Sequence, residues 1–137
     1  MSLRMLGRRF ALWSFRSRRA EFYRDFAEMY RRGEAMVAFL EGEIENAHLT
    51  RDASRARALR MILQRHHGGE NASLVSWLLD GIVPRGDAML LLAVDRAEDK
   101  PQALLALADA IDKQQEMLRL VLSYAALPAV TLPIRSP

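Results

Sequence analysis

Apolar residues recur along this chain at helical spacing, and a glycine, a proline or a polar stretch closes each run. Phe22, Phe26, Met29 and Tyr30 fall at i, i+4, i+7 and i+8, one face of a 3.6-residue helix. Gly33 closes that run just after Arg31 and Arg32, basic residues well placed at a helix C-terminus. Met36, Val37, Leu40, Ile44 and Ala47 make a second stripe, ended by the polar stretch from Asn46 to Thr50. Asp52 can cap a third helix that buries Leu59, Ile62 and Leu63 and stops at His67-Gly68-Gly69. Such stripes are buried only when helices pack on one another.

The second half repeats the layout without a residue-level repeat. Asn71 or Ser73 opens a short helix with Leu74, Val75, Leu78 and Leu79 inward, ended by Gly81 and Pro84. A fifth, from Asp87 to about Ala97, is apolar from Met89 to Val94 and is expected at the centre of the core. Pro101 sits where a first-turn proline belongs. The last helix carries a heptad-like seam of Leu104, Ala108, Ile111, Gln115, Leu118 and Leu122, and is expected to break at Pro128. Ser17 reads as the N-cap of the first helix. The prediction is an all-α fold, a compact bundle of about six mostly antiparallel helices. Residues 1–16 read as a basic, aromatic arm or a short helix that packs only if something covers it, 17–128 as the helical domain, and 129–137 as a tail leading to a truncated membrane span.

Composition agrees. Half of the 137 residues are hydrophobic, mostly Leu and Ala, with few β-branched residues and only ten aromatics. Without cysteine there is neither a disulfide framework nor a Cys-based zinc site. No run of about 18 apolar residues occurs, so the chain as given is not expected to span a membrane. The start has no secretory h-region, and Met1-Ser2-Leu3 reads equally well as a vector-derived leader. The net charge of +3 hides an asymmetry. Residues 1–32 hold nine Arg and three acids, a net +6, which leaves −3 for residues 33–137. A basic arm with Arg8, Arg9, Arg16, Arg18 and Arg19 suits anionic headgroups, an acidic partner or nucleic acid. Nucleic acid is not expected, because Glu21, Asp25 and Glu28 follow at once and no helix-turn-helix spacing appears.

Reactive constellations are lacking. His66-His67 are adjacent and point about 100° apart, unlike metal-binding i, i+4 pairs. Gly68-Gly69 has no Gly-Lys-Ser/Thr after it and is a helix terminator rather than a phosphate loop. Arg85-Gly86-Asp87 spells an integrin-binding triplet, better explained as the start of the fifth helix. Asp95, Glu98 and Asp99 at i, i+3, i+4 form a candidate cation patch on one helix face, although a solvated acidic face explains them as well. Glu41, Glu43 and Glu45 fan around their helix. No nucleophile with a base and an orienting group is evident, so neither an enzyme nor a cofactor is expected. A soluble adaptor holding a partner helix in a groove is one expectation.

Another comes from a resemblance. Arg19-Ala20-Glu21-Phe22-Tyr23-Arg24-Asp25-Phe26-Ala27-Glu28-Met29 followed by Gly33 resembles the opening of the soluble domain in inner-membrane platform proteins, the general secretory pathway F and type IV pilus assembly C family. Gly68 or Gly69 before Ser73-Leu74 and Leu78, Pro84 before the fifth helix, and a last helix ending Ser123-Tyr124-Ala125-Ala126-Leu127-Pro128 are similar too. The likeness covers about Phe15 to Pro128. It departs where the family has Gly-Glu, two residues and Gly between the fifth and sixth helices, since this chain reads Val94-Asp95-Arg96-Ala97-Glu98 and keeps only the acid at Asp95. The resemblance implies a first cytoplasmic domain at the bacterial inner membrane that docks an assembly ATPase and other machinery components. Membrane attachment would lie in segments outside this chain, and the arm near anionic lipid. Leu127, Val130, Leu132 and Ile134 would be left without partners by truncation. The seam on the last helix allows a homodimer.

Overall fold

The computed structural model describes residues 3–69 and 72–135, with side chains placed as far as residue 124. Met1, Ser2 and the candidate helix start Asn71 lie outside the described residues, as do the side chains of Leu127, Val130, Leu132 and Ile134. Among the described residues there are seven α-helices: α1 (Leu3–Ser17), α2 (Arg19–Arg32), α3 (Met36–Leu49), α4 (Ala53–His67), α5 (Val75–Leu78), α6 (Arg85–Arg96) and α7 (Lys100–Arg135). No strand occurs among the described residues. The all-α bundle expected from the stripes is what forms.

α2 lies along α7, α3 pairs with α4, α1 docks on the other side of α4, and α5 with α6 closes one end against α7. The core is aromatic. Phe22 and Phe26 project from α2 at i, i+4 and meet Phe39 of α3, with ring centroids 5.5, 5.9 and 5.4 Å apart. Phe15 of α1 reaches the same cluster, 5.0 Å from Phe22. Tilted and edge-on pairs of this kind each add about 0.5–1.5 kcal/mol beyond area burial. Phe39 lies off the stripe expected for α3, yet it is buried and Met36 and Ile44 are only partly so.

Two helices end in the same backbone motif. Gly33, at φ 65°, donates its N–H to Tyr30 O, and Glu34 donates to Met29 O. This is the Schellman arrangement, and it needs a left-handed residue. The sequence supplies glycine there, but the equivalent place after α3 holds Arg51 at φ 57°. Its N–H bonds His48 O and that of Asp52 bonds Ala47 O. Asp52 then caps α4, as expected, its side chain accepting from the Arg55 N–H at 3.0 Å. Gly68 and Gly69 follow α4, and Gly69 is needed for another reason. A Cβ there would lie 2.8 Å from Cζ2 of Trp77. Pro84 precedes the first residue of α6, and Pro101 falls in the first turn of α7.

Five expectations are corrected. The basic stretch is not a free arm but takes the helical alternative: residues 3–17 form α1, with Ala11 and Phe15 fully buried. The surface that covers them is α4, some forty residues away, so no local pattern announces it. Ser17 therefore ends α1, donating to Ser14 O at 2.7 Å, and α2 starts without a side-chain cap. α5 begins at Val75 rather than Ser73. α6 is peripheral, since only Leu91 and Val94 of its apolar run are buried while Met89, Leu90 and Leu92 stay exposed. α7 does not stop at Pro128 but continues to Arg135. A proline removes one N–H donor, and on a helix that stands clear of the body water can satisfy the carbonyl left over. Its seam leaves the core after Ile111, with Leu118 and Leu122 exposed.

Candidate functional site

The buried polar groups fall into three knots. In the first, Asp87 in the opening turn of α6 accepts hydrogen bonds from Tyr23 Oη at 2.8 Å and from Arg19 Nε at 2.5 Å. Its residue is only 5% exposed. Burial, then the charge of Asp87 and its hydrogen bond, push the Tyr23 phenol far above its ordinary range, so it stays a donor. The Arg85-Gly86-Asp87 triplet is thus not displayed, because its carboxylate is engaged inside the fold. Arg16 donates to the carbonyls of Ile82 (2.8 Å) and Gly81 (3.0 Å), and Arg18 pairs with Asp52 and Glu21. Arg16, Arg18 and Arg19 therefore tie the first two helices to the body, while the Arg8 and Arg9 side chains of α1 are exposed.

The second knot dissolves the candidate cation patch. α6 ends at Arg96, so Glu98 and Asp99 fall beyond the helix that carries Asp95 and the three share no helix face. The Asp95 carboxylate caps α5 from outside, accepting from the N–H of Val75 (2.7 Å) and Ser76 (3.1 Å) and from the Ser76 hydroxyl. Asp99 accepts from the Gln102 N–H at 3.0 Å and so caps α7. Glu98 is exposed. Lys100 closes the end of α6 by donating to Asp95 O and Ala97 O. Among the described residues no group of three or more His, Asp or Glu is arranged to hold a metal. His66 bonds Ala72 O, and His48 faces Arg60.

The third knot was hidden in the sequence. Glu43 turns inward from α3 while Glu41 and Glu45 face solvent. It meets Asp25 of α2, and Arg55 of α4 approaches it to 3.6 Å. Burial, then the hydrogen bond and charge of Asp25, push the Glu43 carboxyl up to about 7, with Arg55 opposing. The buried Arg55 guanidinium, which draws the Glu43 carboxyl the other way, also stands 5.9 Å from the Phe15 ring centroid. Asp25 and Glu43 border a cleft of about 310 Å³ completed by Glu28, Arg32, Glu34 and Asn46. It can exchange a proton near neutrality, but its walls carry no Ser, Thr, Cys or Lys to act as a nucleophile.

Outward faces are the more unusual feature. Leu3, Leu6, Phe10 and Trp13 stand exposed along α1. A groove of about 330 Å³ between α6 and α7 is lined only by Leu90, Ala93, Val94, Ala103, Ala106, Leu107 and Ala110. Beyond it, Met117, Leu118, Leu120, Val121, Leu122 and Tyr124 are all more than half exposed around α7. No helix among the described residues is long and apolar enough to cross a membrane. The chain matches none of the protein-family models, curated proteins or solved structures with which it was compared.

Proposed function

We propose that this chain is a non-catalytic docking domain, the first cytoplasmic domain of an inner-membrane platform protein for type IV pilus biogenesis or type II secretion. The observation that carries the reading is the course of α7. Its first half is fixed to α2 by packing and by Arg24, which bonds Asp109 (2.9 Å) and Asp112 (2.5 Å) and whose pKa those bonds raise. Beyond the body α7 exposes Met117, Leu118, Leu120, Val121, Leu122 and Tyr124 over more than half of its circumference, and the sequence from Leu120 to Ile134 carries no charge. Apolar surface of that extent is unfavourable in water and calls for a cover, which a bilayer or another protein supplies. The body behind it offers the fixed helical faces that docking an assembly ATPase requires.

Alkaline carbonate extraction of the natural gene product, followed by capture of the purified domain on the cognate assembly ATPase, tests the proposal. Retention in the membrane pellet with saturable ATPase binding is the expected result. Complete release with no ATPase binding overturns it. The α6–α7 groove favours a second reading, a helical adaptor that accepts a partner helix between alanine-lined walls. On that reading Ala106→Glu, a change at an exposed groove position, abolishes partner binding and leaves membrane retention irrelevant.

A further inference from the structure

We infer that the outer face of α1, backed by α4, is a peripheral docking surface for an anionic lipid bilayer. The surface is separate from α7 and does not depend on the platform assignment. Leu3, Leu6, Phe10 and Trp13 recur at i, i+3, i+7 and i+10, and so form one line along the helix. They are 87, 50, 59 and 65% exposed. Ala11 and Phe15, which anchor α1 on α4, lie on the opposite side, so the apolar line points directly away from the body. The Phe10 and Trp13 rings stand together, 5.9 Å apart.

Charge is arranged to match. α1 carries four arginines, Arg4, Arg8, Arg9 and Arg16, and no acid. α4, packed behind it, also carries four arginines and no acid. Of these, Arg55 is spent on Glu43, Arg60 faces His48 of α3, and Arg65 donates to the carbonyls of Trp77, Leu78 and Asp80, which leaves Arg57 directed toward α1. Arg57 reaches across to donate to Arg4 O, and Arg8, Arg57 and Arg65 line a cleft of about 460 Å³ between the two helices with no carboxylate in its wall. The acids lie on α2, α3, α6, the first half of α7 and the turns between helices, where Asp52 at the start of α4 is paired with Arg18. The result is an apolar ridge with a cationic layer one helix diameter behind it, within about one Debye length of any surface the ridge enters. That is the arrangement of an in-plane interfacial helix, whose side chains enter the acyl boundary while arginines remain among the headgroups. Nucleic acid would use the arginines but gives a continuous line of Leu, Leu, Phe and Trp no role, since stacking needs separated rings. Charge complementarity together with the ridge selects the bilayer.

The test uses the full chain with phosphatidylcholine vesicles, with and without roughly one third phosphatidylglycerol. Sedimentation with the anionic vesicles only, and a blue shift of tryptophan emission that Trp13→Phe removes, are expected. A Leu6→Ser/Phe10→Ser double variant, checked for an unchanged circular dichroism spectrum, is expected to bind about tenfold or more weakly. Arg4→Gln/Arg8→Gln is expected to weaken binding to the anionic vesicles and to leave the remaining binding less sensitive to salt. Equal sedimentation with neutral vesicles overturns the inference, as does an unshifted Trp13. Undiminished binding of the Leu6→Ser/Phe10→Ser variant also overturns it, and transfers the interaction to the apolar half of α7. Binding to duplex DNA without binding to vesicles overturns it in favour of nucleic acid. ATPase capture is read separately, so a failure at the vesicle leaves the platform reading untouched.

Discussion

Replacing Asp87 by alanine probes one of the two heavily buried ion pairs seen among the described residues. The Asp87 and Arg19 side chains are 7 and 15% exposed, and α6 has no other charged contact with α2 as close as their 2.5 Å bond. Removing the carboxylate strands a guanidinium with one remaining bond, to Arg16 O at 3.0 Å, and leaves the Tyr23 hydroxyl without its acceptor. Breaking a buried pair from one side costs about 3–5 kcal/mol, because the other charge stays buried without compensation. A domain of this size has about 5–15 kcal/mol in all. With a urea slope of about 2 kcal/mol/M, the unfolding midpoint falls by about 2 M. Urea titration followed by circular dichroism reads this directly. Asp87→Leu combined with Arg19→Met removes both charges and should recover about half of the loss or more. A loss under about 1 kcal/mol for Asp87→Ala would mean that water reaches the pair, and the reasoning from burial would fail.

Other changes follow the same physics. Arg51→Gly relieves a left-handed residue that carries a Cβ and should stabilise the domain by about 1 kcal/mol in the same titration; a loss would show that the Arg51 side chain has a contact that matters more. Gly69→Ala drives a methyl into the Trp77 ring and should cost about 1–3 kcal/mol, with a change in tryptophan emission, and it should be tolerated if α5 can shift. Glu43 has its folded-state pKa raised from 4.5 to about 7, so it binds its proton more tightly folded than unfolded, and its contribution to stability is greatest below the lower value and lost as pH rises through the higher. Water in the open cleft limits that loss to about 1–2 kcal/mol; Glu43→Gln keeps a donor toward Asp25 and should flatten the difference between urea midpoints at about pH 5 and pH 8, while an unchanged difference would assign it to other groups.

The candidate site divides along similar lines. Arg8 and Arg9 were legible as basic residues of the first segment, and both are exposed. Asp95, Glu98 and Asp99 were legible only as charges. Their separation depends on α6 stopping at Arg96, a boundary set by the Lys100 cap rather than by any glycine. Asp99 had a local signal, an acid just before Lys-Pro at a helix start, and could have been read as a cap. Asp95 had none, since the N–H groups it satisfies lie 19 and 20 residues away.

Periodicity and punctuation by themselves determined the helices: the stripe of Phe22, Phe26 and Met29, the left-handed Gly33, the Asp52 cap and the first-turn Pro101 all act within a few residues, where local sterics and hydrogen bonding decide. Tertiary structure alone decided which faces are covered. It turned residues 3–17 from an arm into α1 by bringing α4 beneath Phe15, it left the apolar run of α6 at the surface, and it carried α7 clear of the core after Ile111. It also turned Glu43 and Asp87, unremarkable acids in sequence, into buried charges by setting Asp25, Arg55, Arg19 and Tyr23 against them. Burial is a property of what a helix meets, and the partners here lie between about 12 and 88 positions away, beyond the reach of any local pattern.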